Sequence, residues 1–271
     1  MQLQVIEPVS PKWATLRDVF AEAVSDFRSG SSFYRRCRKS PILTPPSGNT
    51  KLSKSEIPTW GLTLAPAGAS GYQLCPWRSP ECEAACLGIT SGRSRFSNVQ
   101  QARIDKTRQL MEEPYAFMRQ LIDELQRCYR FNGKHHWALR LNVLSDIPWE
   151  NLCPDLLTFT DNNYDYTKSF DRAMKSLRWD HKYRLVLSHS GHNWDQCACY
   201  MDHGGTVAAV FGPMRGRFYD PKNYDLPETY KGYEVIDGDH SDARWLDPKG
   251  VIVGLRAKGS IDTNSSFVFN V

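Results

Sequence analysis

Long apolar runs are missing from this chain. No stretch approaches the ~20 apolar residues that a membrane-spanning helix needs, so a membrane partner is not expected. A strong charge bias is missing too. With 34 Lys and Arg against 30 Asp and Glu, the net charge of +4 does not by itself point to a polyanion. There is no phosphate-binding glycine loop, no G-x-S-x-G and no H-E-x-x-H, which removes the P-loop, α/β-hydrolase and zincin readings. Internal repeats and long low-complexity tracts are absent as well. Met1-Gln2-Leu3-Gln4 begins no charged-then-apolar leader, so the expected compartment is reducing cytosol.

Cysteine is well represented. The 271 residues, enough for one large domain or two small ones, carry eight. In a reducing compartment, clustered thiols are expected to be ligands rather than disulfides. Cys75, Cys82 and Cys86 form one C-x6-C-x3-C loop. Neighbouring thiolates repel until a cation neutralises them, and three on one loop lose little chain entropy on converging. A structural zinc site would want four ligands, commonly as paired C-x2-C units. A [4Fe–4S] cluster can use three cysteines and leave one iron open, so iron–sulfur leads and zinc is the alternative metal. Cys197 and Cys199, which C-x-C spacing on a helix points to different faces, are read as ordinary helix residues, with one of them as the alternative fourth ligand. Cys37, Cys128 and Cys153 are isolated and read as small buried apolar residues.

Hydrophobic spacing gives the organisation. A helix is expected from Pro11 to about Phe27, capped by Ser10, with Trp13, Leu16, Val19, Phe20 and Val24 as its apolar stripe. Pro41–Ser55 reads as a linker. Strands are expected at Thr59–Leu64, Trp137–Leu144, Leu156–Asp161, Tyr183–Ser188, Thr206–Phe211 and Val251–Ala257. Helices fall between them, at Ser94–Met111, Pro114–Tyr129, Asp171–Leu177 and Asn193–His203. A Pro- and Tyr-rich insertion runs over 212–232. Alternating strands and helices argue for parallel βαβ units. The expected fold class is α/β, a partial or open (β/α)6 TIM-like barrel of parallel strands with an N-terminal helical extension; a doubly wound sheet would give a similar string. Residues 1–55 are the expected extension and linker, and residues 56–271 the iron–sulfur barrel-like domain.

Two families resemble this pattern. The radical S-adenosylmethionine barrel also carries three cluster cysteines in the loop after its first strand. Its usual spacing is C-x3-C-x2-C with an aromatic residue before the last cysteine, a place that Ala85 takes here. The closer similarity is to the phage gene product 88-like group. It rests on Gly48-Asn-Thr-Lys-Leu-Ser-Lys54, Leu62–Ala65, the cysteine loop, Gly92-Arg93 with Phe96, Arg140–Trp149 and Tyr164–Lys168. In that group Cys-Tyr-Ala commonly closes the loop, where this chain has Cys86-Leu87-Gly88. The resemblance implies a phage or prophage origin, hence host cytoplasm, and a metal loop.

If the strands are parallel, their carboxyl ends share one face with the cysteine loop. Expected there are Asn142, Ser145 and Asp146 after the second strand, and Asp161, Asn162, Tyr164, Tyr166 and Lys168 after the third. Ser188, His189, Ser190 and His192 follow the fourth. The radical-barrel resemblance implies that Ser145 and Asp146 hold the methionine amino group of S-adenosylmethionine. Asp146 could equally cap a turn before Pro148. Lys168 could bind a carboxylate or phosphate, or pair with Asp165. His189 and His192 could move protons, bind metal or do neither. Asp237-Gly-Asp-His-Ser-Asp242 is either a divalent-cation site or a solvated turn. Adjacent His135 and His136 with Tyr164 or Tyr166 only loosely resemble a rolling-circle nickase set.

The leading expectation is an iron–sulfur protein acting on an unknown small-molecule or macromolecular substrate. The alternative is a non-catalytic nucleic-acid-binding protein with a structural metal. Two basic stretches motivate it, one of Arg28, Arg35, Arg36, Arg38, Lys39, Lys51 and Lys54, the other of Arg93, Arg95, Arg103, Lys106 and Arg108.

Overall fold

A computed structural model of the chain describes residues 8–31, 40–48, 57–90, 92–179, 182–212, 224–258, 262 and 265–270. Cys37, most of the first basic stretch, most of the Gly48–Lys54 run and the middle of the 212–232 insertion lie outside the described residues. The elements are α1 (Trp13–Arg28), β1 (Leu43–Thr44), β2 (Thr59–Leu62), α2 (Pro80–Ala84), α3 (Leu87–Thr90), α4 (Ser97–Glu112), α5 (Pro114–Asn132) and β3 (Ala138–Arg140). They continue with α6 (Trp149–Leu152), β4 (Asn162–Thr167), α7 (Phe170–Ser176), β5 (Tyr183–Ser188), α8 (Trp194–Asp202), β6 (Thr206–Gly212), β7 (Thr229–Tyr230), β8 (Tyr233–Asp237), β9 (Ile252–Arg256) and β10 (Val268–Asn270).

The strands form one sheet in the order β1-β2-β3-β4-β5-β6-β9-β8-β7, with β10 beside the end of β6. Neighbours from β2 through to β8 pair in parallel, and β10 joins β6 in parallel; β1 and β7 add antiparallel edges. The expected parallel α/β alternation is therefore present. Closure into a TIM barrel is not: the ladders end at β1 and β7, and no ladder joins those edges among the described residues. The sheet is not doubly wound either, because β2 to β6 succeed one another in a single direction. Right-handed crossovers then place the connecting helices on one face.

Side chains agree with that placement. Leu187, Val207, Ala209, Phe211 and Ile252 share a core with Ala173 of α7 and Cys197, Tyr200 and Met201 of α8. The alternate residues Val186, Ala208 and Val253 cluster on the opposite face with Tyr166, Ile236 and Leu255, all from strands. The short 3₁₀ helix Arg244–Leu246 contacts β4 and β5, with Trp245 against Tyr164.

α1 buries Leu16, Phe20, Ala23 and Val24 in the same core as α5, β2 and β3, so the N-terminal helix is part of the main hydrophobic body. Lys12 occupies its N-cap without a side-chain cap; Ser10 does not supply one.

The third expected strand is displaced. Leu156–Asp161 holds the end of a 3₁₀ helix, Pro154–Thr158, with Pro154 in its first turn. The strand is the next segment, Asn162–Thr167, whose Asn and Asp residues hide it from propensity. Most of its buried polar groups find partners within the protein. Asn163 Nδ2 donates to the carbonyls of Leu157, Thr160 and Lys182 at 2.8, 2.7 and 3.1 Å. Asp165 accepts from the amides of Leu141 and Asn142 (3.2 and 2.7 Å) and from Tyr183 Oη (2.9 Å). Those two captured amides also explain why β3 stops at Arg140 rather than running to Leu144. β7, β8 and β10 had no distinct signal in the sequence.

Candidate cofactor site at the carboxyl mouth of the sheet

The cysteine loop leaves β2 and folds back over the strand ends. Ser79 caps α2: its Oγ accepts from the Cys82 amide at 3.1 Å and donates to the Ser190 carbonyl at 2.8 Å. His192 Nε2 lies 3.2 Å from Glu81 Oε1, a second tie between the loop and the turn after β5. That contact holds the Glu81 carboxyl below its ordinary range, after a backbone hydrogen bond that acts in the same sense. Cys75 Sγ is 3.5 Å from the Leu144 carbonyl, and the Asp146 amide donates to Leu74 O at 2.9 Å, joining the loop to residues 142–147. Arg103 of α4 reaches the Gly88 carbonyl at 3.0 Å.

All three cysteines line one cavity of about 310 Å³, together with Arg140, Asn142, Ser145, Asp146, Tyr166, Lys168 and Ser188. The volume is at the lower end of small-molecule pockets. All three cysteines are partly exposed. Burial pushes the Cys75 thiol up to about 12, and the charges of Asp146, Cys86 and Cys82 add to it. Burial also raises Cys86, against which Lys168 and Arg103 favour its thiolate. Among the described residues, no three His, Cys, Asp or Glu side chains are gathered as for a single metal ion.

The other expected residues divide. Asn142 is structural: its Oδ1 accepts from Ser145 Oγ (2.9 Å) and the Ile147 amide (2.8 Å), while Nδ2 donates to Ile147 O at 2.9 Å. Asp146 accepts from Arg172, from Thr167 Oγ1 (3.2 Å) and from the Lys168 amide (2.9 Å). Tyr166 Oη donates to Asp242 at 3.2 Å. Lys168 stands apart. Its ammonium lies 5.7 Å from the Phe267 ring, has no carboxylate partner among the described residues, and does not pair with Asp165.

His189 does not reach the cavity. It is 3% exposed and packs 4.3 Å from the Phe269 ring, and its Nδ1 has no hydrogen-bond partner. Burial there, with Lys168 and Lys231 nearby, brings it down to about 4. Cys197 is inside the α8 core and Cys199 faces His203 at 3.9 Å, so neither lines the cavity. His135, Asp161 and Asn162 sit at the opposite, amino end of the strands, which separates the histidines from Tyr166 and Lys168. The carboxylates of 237–242 diverge: Asp237 and Asp239 onto Arg256, Asp239 also onto Lys258, and Asp242 onto Arg140, Tyr164 and Tyr166. They form no cation site. Cys128 and Cys153 are buried, as expected.

Sequence reasoning missed Arg172. It bridges Asp146 to Glu150 beneath the mouth, and its position on an ordinary short helix gives no signal.

Fold and site together define an α/β protein with a three-cysteine cavity at the carboxyl ends of an open, mostly parallel sheet. A family model described as gene product 88 matches residues 40–270, and the chain belongs to that phage gene product family. Among curated proteins and among solved structures, no significant match to it is found. Among the described residues, no helix is long and apolar enough to cross a membrane.

Proposed function

We propose that the chain is an iron–sulfur protein whose cluster is held by Cys75, Cys82 and Cys86 at the mouth of the sheet. The observation that carries this reading is the common cavity: three soft donors from one loop open onto it. The hard donors beside them are already committed, Asp146 to Arg172 and Asp239 to Arg256 and Lys258. Such a set suits iron–sulfur chemistry better than an oxygen-seeking cation. Held by three thiolates, a [4Fe–4S] cluster supplies one-electron chemistry at an iron without a protein ligand.

The chain's own residues would do the rest. Ser79, Glu81 and His192 fix the loop against β5. Arg103 and Lys168 offset thiolate charge at Cys86. Lys168, which makes no ion pair with a carboxylate among the described residues, would bind an anionic group of a ligand in the cavity. The radical-barrel layout nominates S-adenosylmethionine as that ligand. Asn142, Ser145 and Asp146 then act by shaping the wall, since their polar atoms are engaged within the protein. Anaerobic purification tests the proposal: a brown protein absorbing near ~400 nm supports it, and a colourless protein with one zinc opposes it. Reductive cleavage of added S-adenosylmethionine by the brown protein would establish the enzymatic form of the reading.

A further inference from the structure

A larger cleft, of about 520 Å³, lies at the other end of the sheet, across the amino ends of β4 and β5. Its described lining carries three permanent cations, Lys182, Arg184 and Lys249, against one carboxylate, Asp161. That carboxylate is already neutralised: Lys182 lies at 2.7 Å, His135 at 2.8 Å and Lys134 at 3.4 Å. Arg184 and Lys249 have no ion-pair partner among the described residues, so the cleft keeps a positive excess. Two half-buried indoles also line it. Trp179 stacks on Tyr183 with ring planes 5° apart, and Trp245 leans on Tyr164 at 5.5 Å between centroids.

One further atom points to a ligand. Asn163 is 1% exposed and lines the cleft, and its Oδ1 has no hydrogen-bond partner. The amide cannot be reversed, because Nδ2 already faces three carbonyl oxygens that can only accept. A buried acceptor without a donor is costly unless a ligand supplies one.

We propose that this cleft binds a nucleoside phosphate, either as a free nucleotide or as a unit of a single strand. Arg184 and Lys249 hold the phosphate, Trp179 and Trp245 flank the base, and Asn163 Oδ1 accepts one of its N–H groups. Cations beside indoles are the combination that single-strand sites use, because every base has a face to stack while the backbone needs only charge. The cleft shares no lining residue with the cysteine cavity, and neither Arg95 nor Arg108 lines it.

Binding of AMP, ribose 5-phosphate and a fluorescein-labelled twelve-residue oligo-dT to the full chain, by tryptophan fluorescence and anisotropy, tests this. AMP or the oligonucleotide should bind at least tenfold more tightly than ribose 5-phosphate. Preference for the oligonucleotide identifies a strand, and preference for AMP a free nucleotide. The double variant R184Q/K249Q, at one half-buried and one exposed position, should weaken the tighter probe at least tenfold. If that probe is the strand, the slope of log K against log salt should fall by about 1.4, the share of two phosphate contacts. Three results would overturn the proposal: no binding at low salt, equal affinity for ribose 5-phosphate, or a loss seen in R95Q/R108Q but not in R184Q/K249Q. Circular dichroism of each variant confirms that it is folded.

Discussion

Replacing Arg172 by Met should lower the free energy of unfolding by about 3–5 kcal/mol, the range for breaking a buried ion pair from one side. Arg172 is 6% exposed, and its guanidinium serves two carboxylates of residues that are similarly buried. Nε and Nη2 donate to the two Glu150 oxygens at 2.7 and 2.9 Å, while Nη1 reaches Asp146 Oδ1. Nη2 also meets the Ile147 carbonyl at 3.3 Å, and the Trp77 ring lies 5.2 Å from Cζ. Met restores most of the apolar stem, so the loss is electrostatic rather than a cavity. It leaves two buried carboxylates without the guanidinium they share. Against a typical domain stability of about 5–15 kcal/mol, that is a large fraction. Urea unfolding measures it, with an unchanged m value showing that the shift is stability alone. The triple variant R172M/D146N/E150Q, which removes the stranded charges, should recover most of the loss. A cost under about 1 kcal/mol for R172M, or a triple variant no more stable than the single, would refute the reasoning.

Other consequences follow from the same contacts. His189 is held near 4 by burial, against about 6.5 when unfolded, so the unfolded chain takes up its proton first as pH falls. Its contribution is fully present above about pH 6.5 and lost towards pH 4, worth about 3 kcal/mol, and H189F should flatten that limb of a stability–pH curve. An unchanged limb in H189F would mean the ring titrates freely. Because burial pushes the Cys75 thiol up to about 12 and raises Cys86 as well, loading a metal must displace both protons, so uptake should weaken by at least about tenfold per unit as pH falls from 8 to 6. Metal titrations at fixed ionic strength read this directly, and a flat profile would show that Cys75 is not a ligand. C75S, C82S and C86S should each lower retained iron, whereas C197S and C199S should leave it unchanged. Retention in the first three, or loss in the last two, would move the site.

Much of the site was legible because the cysteine spacing is local. A C-x6-C-x3-C loop constrains its sulfurs whatever the distant fold, and the strand before it, Thr59–Leu62, was plain from its apolar run. β5 and β6 were equally legible, as continuous apolar strands buried on both faces. β4 was not. Its Asn, Asp and Tyr residues are buried by partners far along the chain, such as Tyr183 for Asp165 and Asp242 for Tyr164, and no local pattern announces those. The error of one element placed Asp161 and Asn162 at the mouth, whereas they begin the strand at its amino end. Asn142, Ser145 and Asp146 were placed correctly but given too much freedom, since only the structure shows Arg172 and Ile147 already holding them. The amino-end cleft was invisible for the same reason: its cations come from separate elements and share no run of sequence.

The most direct test is a count of iron and acid-labile sulfide after anaerobic reconstitution, made in parallel on the natural chain and on C75S/C82S/C86S. About four of each per natural chain, and none above background in a folded triple variant, is the predicted result. A natural chain that takes up only a single zinc, or a triple variant that keeps its iron, would contradict it.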